Sequence, residues 1–221
     1  MRWTEQLIFF LDFEGSLASG ILEYGVVTLQ GGQIAETKTR LCRATGRVRP
    51  EDVAVHGLRE DDVAAQASFA DDWEYFAGLR ERGSFAAHYA QAENSLLKSV
   101  WPYPRTSPDF ARLGERTAEW GPWIDTGRLY AQIRPQLPSG KLEELVRTCG
   151  LQGQLDALAA AHCPTARRHY HAALYDALAG ALLLAGLAIE PALADKSVGW
   201  LLAMSTLNAE KRDALRQKEL F

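Results

Sequence analysis

After six residues the chain enters a run of large apolar side chains, Leu7 to Phe13, that ends in two acids at alternate positions, Asp12 and Glu14. Two further segments, Leu22 to Leu29 and Ile34 to Cys42, alternate in strand fashion and are separated by Gly31-Gly32, a pair suited to a tight hairpin. The spacing predicts three antiparallel strands. Because side chains two apart on a strand project from one face, Asp12 and Glu14 must share a side. Neighbouring carboxylates repel and raise each other's pKa unless a cation lies between them. A strand buried along its length and ending in D-x-E therefore reads as a candidate divalent-metal site. From spacing alone, a polar strand end running into a loop remains equally open.

The rest of the chain alternates. A short helical passage spans Pro50 to Ala65, and Ser68 to Arg82 has helical spacing with Ser68 as N-cap and Gly83 as its stop. Phe85 to His88 reads as a short buried strand and Ala92 to Val100 as the helix after it. Prolines 102, 104 and 108 mark a loop, Trp123 to Thr126 a further strand, and Lys141 to Cys149 and Gln154 to Ala161 two helices. Ala172 to Leu187, dense in Ala and Leu, is the strongest helix. The expected fold class is thus α/β, a mixed sheet of about five strands flanked by helices. Residues 1–190 would form one domain, and 191–221 a helical C-terminal tail.

Composition narrows the setting more than the function. Three cysteines without C-x-x-C spacing argue against a disulfide framework or structural zinc and suit a cytoplasmic protein. His162-Cys163 with His169 and His171 fits no common zinc spacing either. No apolar run has the length of a membrane span, and the N-terminus lacks the pattern of a signal peptide. A net charge of −4 does not advertise a nucleic-acid binder, although Lys38, Arg40, Arg43, Arg47 and Arg49 form a basic run that could meet phosphates. As an alternative it is a solvated surface.

Two more acids stand where they could join the first pair. Glu93 lies in the first turn of the helix after the second buried strand, a position the helix dipole also favours without any metal. His171 and Asp176 are five residues apart, about 140° around a regular helix. They meet only if His171 lies in the loop and Asp176 in the helix proper.

In chain order these pieces read D-x-E, A-H-x-x-x-x-E-x-x-x-L and H-x-x-x-x-D. The sequence here resembles the DEDDh family of 3′→5′ exonucleases, which includes the proofreading subunit of bacterial replicases and ribonuclease T. Val55-His56-Gly57-Leu58 looks like that family's H-G-I/L loop, and Trp123-Ile-Asp-Thr126 with Lys141-Leu-Glu-Glu-Leu145 resembles its intervening segment. The resemblance runs from about Leu7 to Leu187. Two departures stand out: Glu93 where the family has Asp, roughly 1.5 Å longer in reach, and Gly15-Ser16-Leu17 in place of a T-T-G-like turn.

The resemblance implies an RNase H-like fold and hydrolysis of single-stranded DNA or RNA from 3′ ends to nucleoside monophosphates. It implies two divalent cations, Mg²⁺ or Mn²⁺, held by Asp12, Glu14, Glu93 and Asp176, with His171 as general base. Phe13, His56 and His88 would line the terminal-nucleotide pocket, with Gly15 offering close backbone approach and Ser16 a hydroxyl. The last residues, Gln217-Lys-Glu-Leu220-Phe221, look like a short sliding-clamp-binding peptide, with Lys218 as a departure. A catalytically weakened nucleic-acid-binding or clamp-associated module that keeps the fold is the alternative. For the terminal peptide, it is an amphipathic helix end packed on the body.

Overall fold

The computed structural model describes residues 2–112 and 114–206. The opening strands are β1 (Ile8–Ser16), β2 (Gly20–Gln30) and β3 (Gln33–Leu41). Next come α1 (Pro50–His56), α2 (Glu60–Val63), α3 (Trp73–Arg82), β4 (Ser84–Ala87) and α4 (Gln91–Val100). A small ribbon pairs β5 (Ser107–Pro108) with β6 (Arg116–Thr117), inside the segment its prolines mark as a loop. Then follow β7 (Trp123–Asp125), α5 (Thr126–Ile133), α6 (Leu142–Thr148), α7 (Gln152–His162) and the long α8 (Ala173–Leu187). Two short helices, α9 (Pro191–Ala194) and α10 (Val198–Met204), complete the described chain.

The main sheet has five strands in the order β3-β2-β1-β4-β7. The first three are antiparallel, and β4 and β7 add in parallel on the other side of β1. At the β2–β3 hairpin Gly31 and Gly32 have φ of 63° and 73°, the double left-handed turn that matches strand twist. The strand bearing D-x-E is thereby central, with an antiparallel hairpin on one flank and parallel crossovers on the other.

Alternation along β1 divides the core. Ile8 and Phe10 face a cluster that includes α8, while Phe9, Leu11 and Phe13 face an aromatic cluster with Phe69, Phe76 and Trp120. Helix α8 is apolar nearly all round because it is enclosed, by β1 and β2 beneath and by α5, α6 and α7 beside it. Two glycines let it approach. A Cβ on Gly180 would lie 2.1 Å from the Phe10 ring, and one on Gly25 of β2 would lie 2.3 Å from the Ala173 carbonyl oxygen.

In the segment expected as a tail, Val198, Leu201, Leu202 and Met204 of α10 belong to the same core as α8. Trp3 at the opposite end of the chain donates its indole N–H to the Leu193 carbonyl at 2.9 Å. The possible clamp peptide, Gln217 to Phe221, lies outside the described residues.

Candidate active site

Asp12 pairs across the β1–β2 ladder with Gly25, the residue on which the first turn of α8 rests. That seating brings Asp176 over the acids of β1. His171 lies two residues before α8 with φ of 63°, so it leaves the helix path and turns back. Its amide donates to Asp176 Oδ2 at 3.0 Å while its side chain stays exposed. Glu14, His171 and Asp176 each present a ligand atom within 4.8 Å of the others. The second oxygen of Asp176, Oδ1, is buried and has no hydrogen-bond partner among the described residues.

Glu93 arrives from α4. Its Oε2 accepts the Phe13 amide N–H at 2.9 Å, which fastens the helix side chain to β1 between the two acids of that strand. The start of α4 is itself fixed by Asp125 at the end of β7, whose carboxylate accepts the amides of Tyr89 at 3.2 Å and Ala90 at 3.0 Å. Two parallel strands thus supply both the site and the brace for the helix that completes it.

The electrostatics show how closely the acids gather. Burial, followed by the charges of Glu93, Asp176, Glu14 and Glu23, pushes the Asp12 carboxyl well above the ordinary carboxylate range. Burial is also the chief cause for the others, raising Glu14 and Glu93 to about 8 and Asp176 to about 7. Without a cation such a cluster holds protons at neutral pH. An oxygen-rich donor set, mutual repulsion and the orphaned Asp176 Oδ1 all fit divalent cations, and oxygen donors favour hard ions such as Mg²⁺ or Mn²⁺.

The residues expected around the terminal nucleotide divide. His56, at the end of α1, is 3% exposed, and its Nδ1 accepts the Leu58 amide at 3.1 Å. That bond places the proton on Nε2, which is buried without a partner among the described residues. Burial also lowers the pKa of His56, in the direction that favours the neutral ring.

Phe13 does not line the pocket with its side chain. Strand alternation turns its ring to the face opposite Asp12, against Phe69 and Phe76 at 5.5 and 5.9 Å. His88 is a strut: Nδ1 meets Thr126 Oγ1 at 3.0 Å and Nε2 meets the Gly140 carbonyl at 2.9 Å, so neither ring nitrogen is left for a ligand. Gly15 carries a β-bulge at φ of 131°, and its close backbone approach is to the chain itself, since a Cβ would sit 2.2 Å from the Gly20 oxygen. The Ser16 hydroxyl donates to Asp52 at 3.0 Å, tying the turn after β1 to α1.

The basic run also divides. Lys38 stacks over the Tyr75 ring at 3.6 Å and Arg40 pairs with Asp72 at 2.7 Å, whereas Arg43, Arg47 and Arg49 are exposed.

Two residues of the site escape the motif reading, Glu23 and Arg167. They form a buried ion pair at 2.6 Å next to the acids. Glu23 carries a signal in hindsight, being an acid between Leu22 and Tyr24 in an apolar strand, which demands a partner if buried. Arg167 carries none, since it is one of two adjacent arginines in a loop.

No family model matches the sequence, and no curated protein matches it significantly. Solved structures do share its fold. Exonuclease X in complex with 5′-overhanging duplex DNA superposes with a TM-score of 0.65 at 22% identity, covering 90% of this chain and 99% of that one. E. coli exonuclease I in complex with a dA16 oligonucleotide gives 0.65 at 15% identity over 95% of this chain, which spans only 45% of exonuclease I. Cell-death related nuclease 4 gives 0.59 at 12% identity over 84% of this chain and 64% of that one. The five-stranded mixed sheet flanked by helices is therefore the RNase H-like fold found in these nucleases.

Proposed function

We propose that this chain is a metal-dependent 3′→5′ exonuclease that hydrolyses phosphodiester bonds of single-stranded DNA or RNA and releases nucleoside monophosphates. The observation that carries the proposal is the convergence of Asp12, Glu14, Glu93 and Asp176, from three separate stretches of chain, beside an exposed histidine. The shared fold supports it, since the similar structures are exonucleases or nucleases whose complexes include single-stranded and 5′-overhanging duplex DNA. The 3′→5′ polarity rests on the motif resemblance.

Two divalent cations, when bound, neutralise the phosphate charge and activate water. In this reading Asp12 would hold both, Glu14 and Asp176 the one on the nucleophile side, and Glu93 the other. Glu93 offers one oxygen for that role, because Oε2 is engaged by the Phe13 amide. His171 takes the proton of the attacking water, a role open to its exposed imidazole because a ring nitrogen lies beside Glu14 and Asp176. His56 supplies an Nε2–H donor to an oxygen of the terminal nucleotide, satisfying a group left unpaired among the described residues.

The test is degradation of a 5′-labelled oligonucleotide, as DNA and as RNA, with Mg²⁺, Mn²⁺ or EDTA. A ladder that requires metal, vanishes in Asp12→Ala and falls by roughly 10²–10⁴-fold in His171→Ala is expected. Binding without cleavage under every condition would instead identify a nucleic-acid-binding module that has lost its chemistry.

A further inference from the structure

Arg167 touches both histidine-bearing segments of the site at once. Its Nη1 donates to the His56 carbonyl at 2.7 Å and its Nη2 to the His171 carbonyl at 3.1 Å. Nε and Nη2 also grip Glu23, at 3.2 and 2.6 Å to Oε2. Glu23 in turn accepts the amide of Ala173, the first residue of α8, at 3.1 Å. The two side chains are only 12% and 3% exposed.

A buried ion pair is a poor device for stability alone, because desolvating two charges can offset their attraction and an apolar pair of similar size often holds a fold as well. What a guanidinium adds is direction: a planar fork of donors that fixes the acceptors around it. The acceptors here are the carbonyls of His56 and His171. His171 in particular needs holding, because its φ of 63° is a conformation that residues with a Cβ rarely adopt. Among the described residues two backbone ties to side chains secure it, its amide on Asp176 and its carbonyl on Arg167.

We infer that Arg167 is a positioning residue, anchored by Glu23, that sets the nucleotide-side His56 and the water-side His171 at a fixed separation. Its consequence for turnover rests on the exonuclease reading, whereas its effect on the two backbone segments does not.

The experiment compares wild type with Arg167→Lys, Arg167→Met and the double variant Arg167→Met/Glu23→Gln, the last leaving no unpaired buried charge to prevent folding. Oligonucleotide turnover is measured together with backbone amide exchange at residues 56–58 and 167–173. The folded double variant should lose roughly 100-fold in kcat, the scale of an ångström's misplacement, with KM raised as well. Arg167→Lys should stay impaired, because an ammonium cannot reach both carbonyls and Glu23 together. Added guanidinium, well below denaturing concentration, should partly restore Arg167→Met and leave His171→Ala unchanged.

A double variant that turns over at the wild-type rate would show the pair to be a mere charge neutraliser and overturn the proposal. Should wild type hydrolyse nothing, the exonuclease reading falls and exchange alone judges the clasp. Faster exchange at both segments in the double variant supports it, and unchanged exchange overturns it.

Discussion

Glu93 uses its extra length to reach the backbone of β1, where Oε2 takes the Phe13 N–H at 2.9 Å. An aspartate would fall short by roughly one carbon–carbon bond, about 1.5 Å. Glu93→Asp should therefore leave a buried amide unsatisfied and destabilise the protein by about 1–3 kcal/mol, measurable by denaturant unfolding in EDTA. Glu93→Gln should behave differently. It can keep an acceptor for the amide and, above pH about 8 where Glu93 ionises, removes one charge from a repelling cluster, so there the metal-free protein should melt at a higher temperature than wild type. It should also gain less on adding Mn²⁺, and equal Mn²⁺ stabilisation of the two proteins would exclude Glu93 as a ligand. At the same scale His56 and His88 part company. His88 has both nitrogens occupied by the protein, whereas His56 keeps one buried donor unmatched among the described residues.

Helix α8 is the element that assembles the site, and its seating depends on the two contacts where a side chain is missing. Gly180 lies against the Phe10 ring, and Gly25 lies under Ala173 and Leu174. Gly180→Ala would gain helix propensity but place a methyl inside a rigid aromatic ring that has no free direction to move. Overpacking of this kind costs about 1–3 kcal/mol. The expected result is a lower melting temperature and, because Asp176 rides on the same helix, weaker Mn²⁺ binding. A variant as stable as wild type, with unchanged Mn²⁺ affinity, would show that α8 can shift without disturbing the acids. Helix α4 has an analogous brace in Asp125, which holds the amides of Tyr89 and Ala90 and so sets the turn from which Glu93 departs.

For the molecule as a whole, the gathered acids couple stability to pH and metal. Glu14 and Glu93 at about 8 and Asp176 at about 7 bind protons more tightly folded than unfolded, where their ordinary values are 4.5, 4.5 and 3.8. The stabilisation from these raised carboxyls is complete below pH about 4 and is lost as pH rises through 7 to 8. In EDTA the melting temperature should accordingly fall from pH 5 to 8, and excess Mg²⁺ or Mn²⁺ should flatten that slope while releasing protons, detectable by calorimetry in buffers of different ionisation enthalpy. A metal-free melting temperature independent of pH would contradict it. The expectation of a clamp-binding peptide is checked by deleting 217–221: clamp affinity lost with oligonucleotide degradation intact supports it, and unchanged clamp affinity discards it. The sequence by itself determined the main sheet's strands, the larger helices and their order. Hairpin glycines, strand alternation and an Ala/Leu-rich helix are local patterns, and D-x-E on one strand face follows from a period of two. Helical geometry set only the condition for His171 and Asp176 to meet, one in the loop and the other in the helix, and the structure meets it. Tertiary structure decided which chemistry-bearing side chains are free. The same alternation that aims Asp12 at α8 buries the Phe13 ring behind it, His88 finds its partners 38 and 52 residues away, and Arg167 reaches Glu23 across 144 residues of chain. Such pairings are set by how layers pack, and residue spacing carries no record of them.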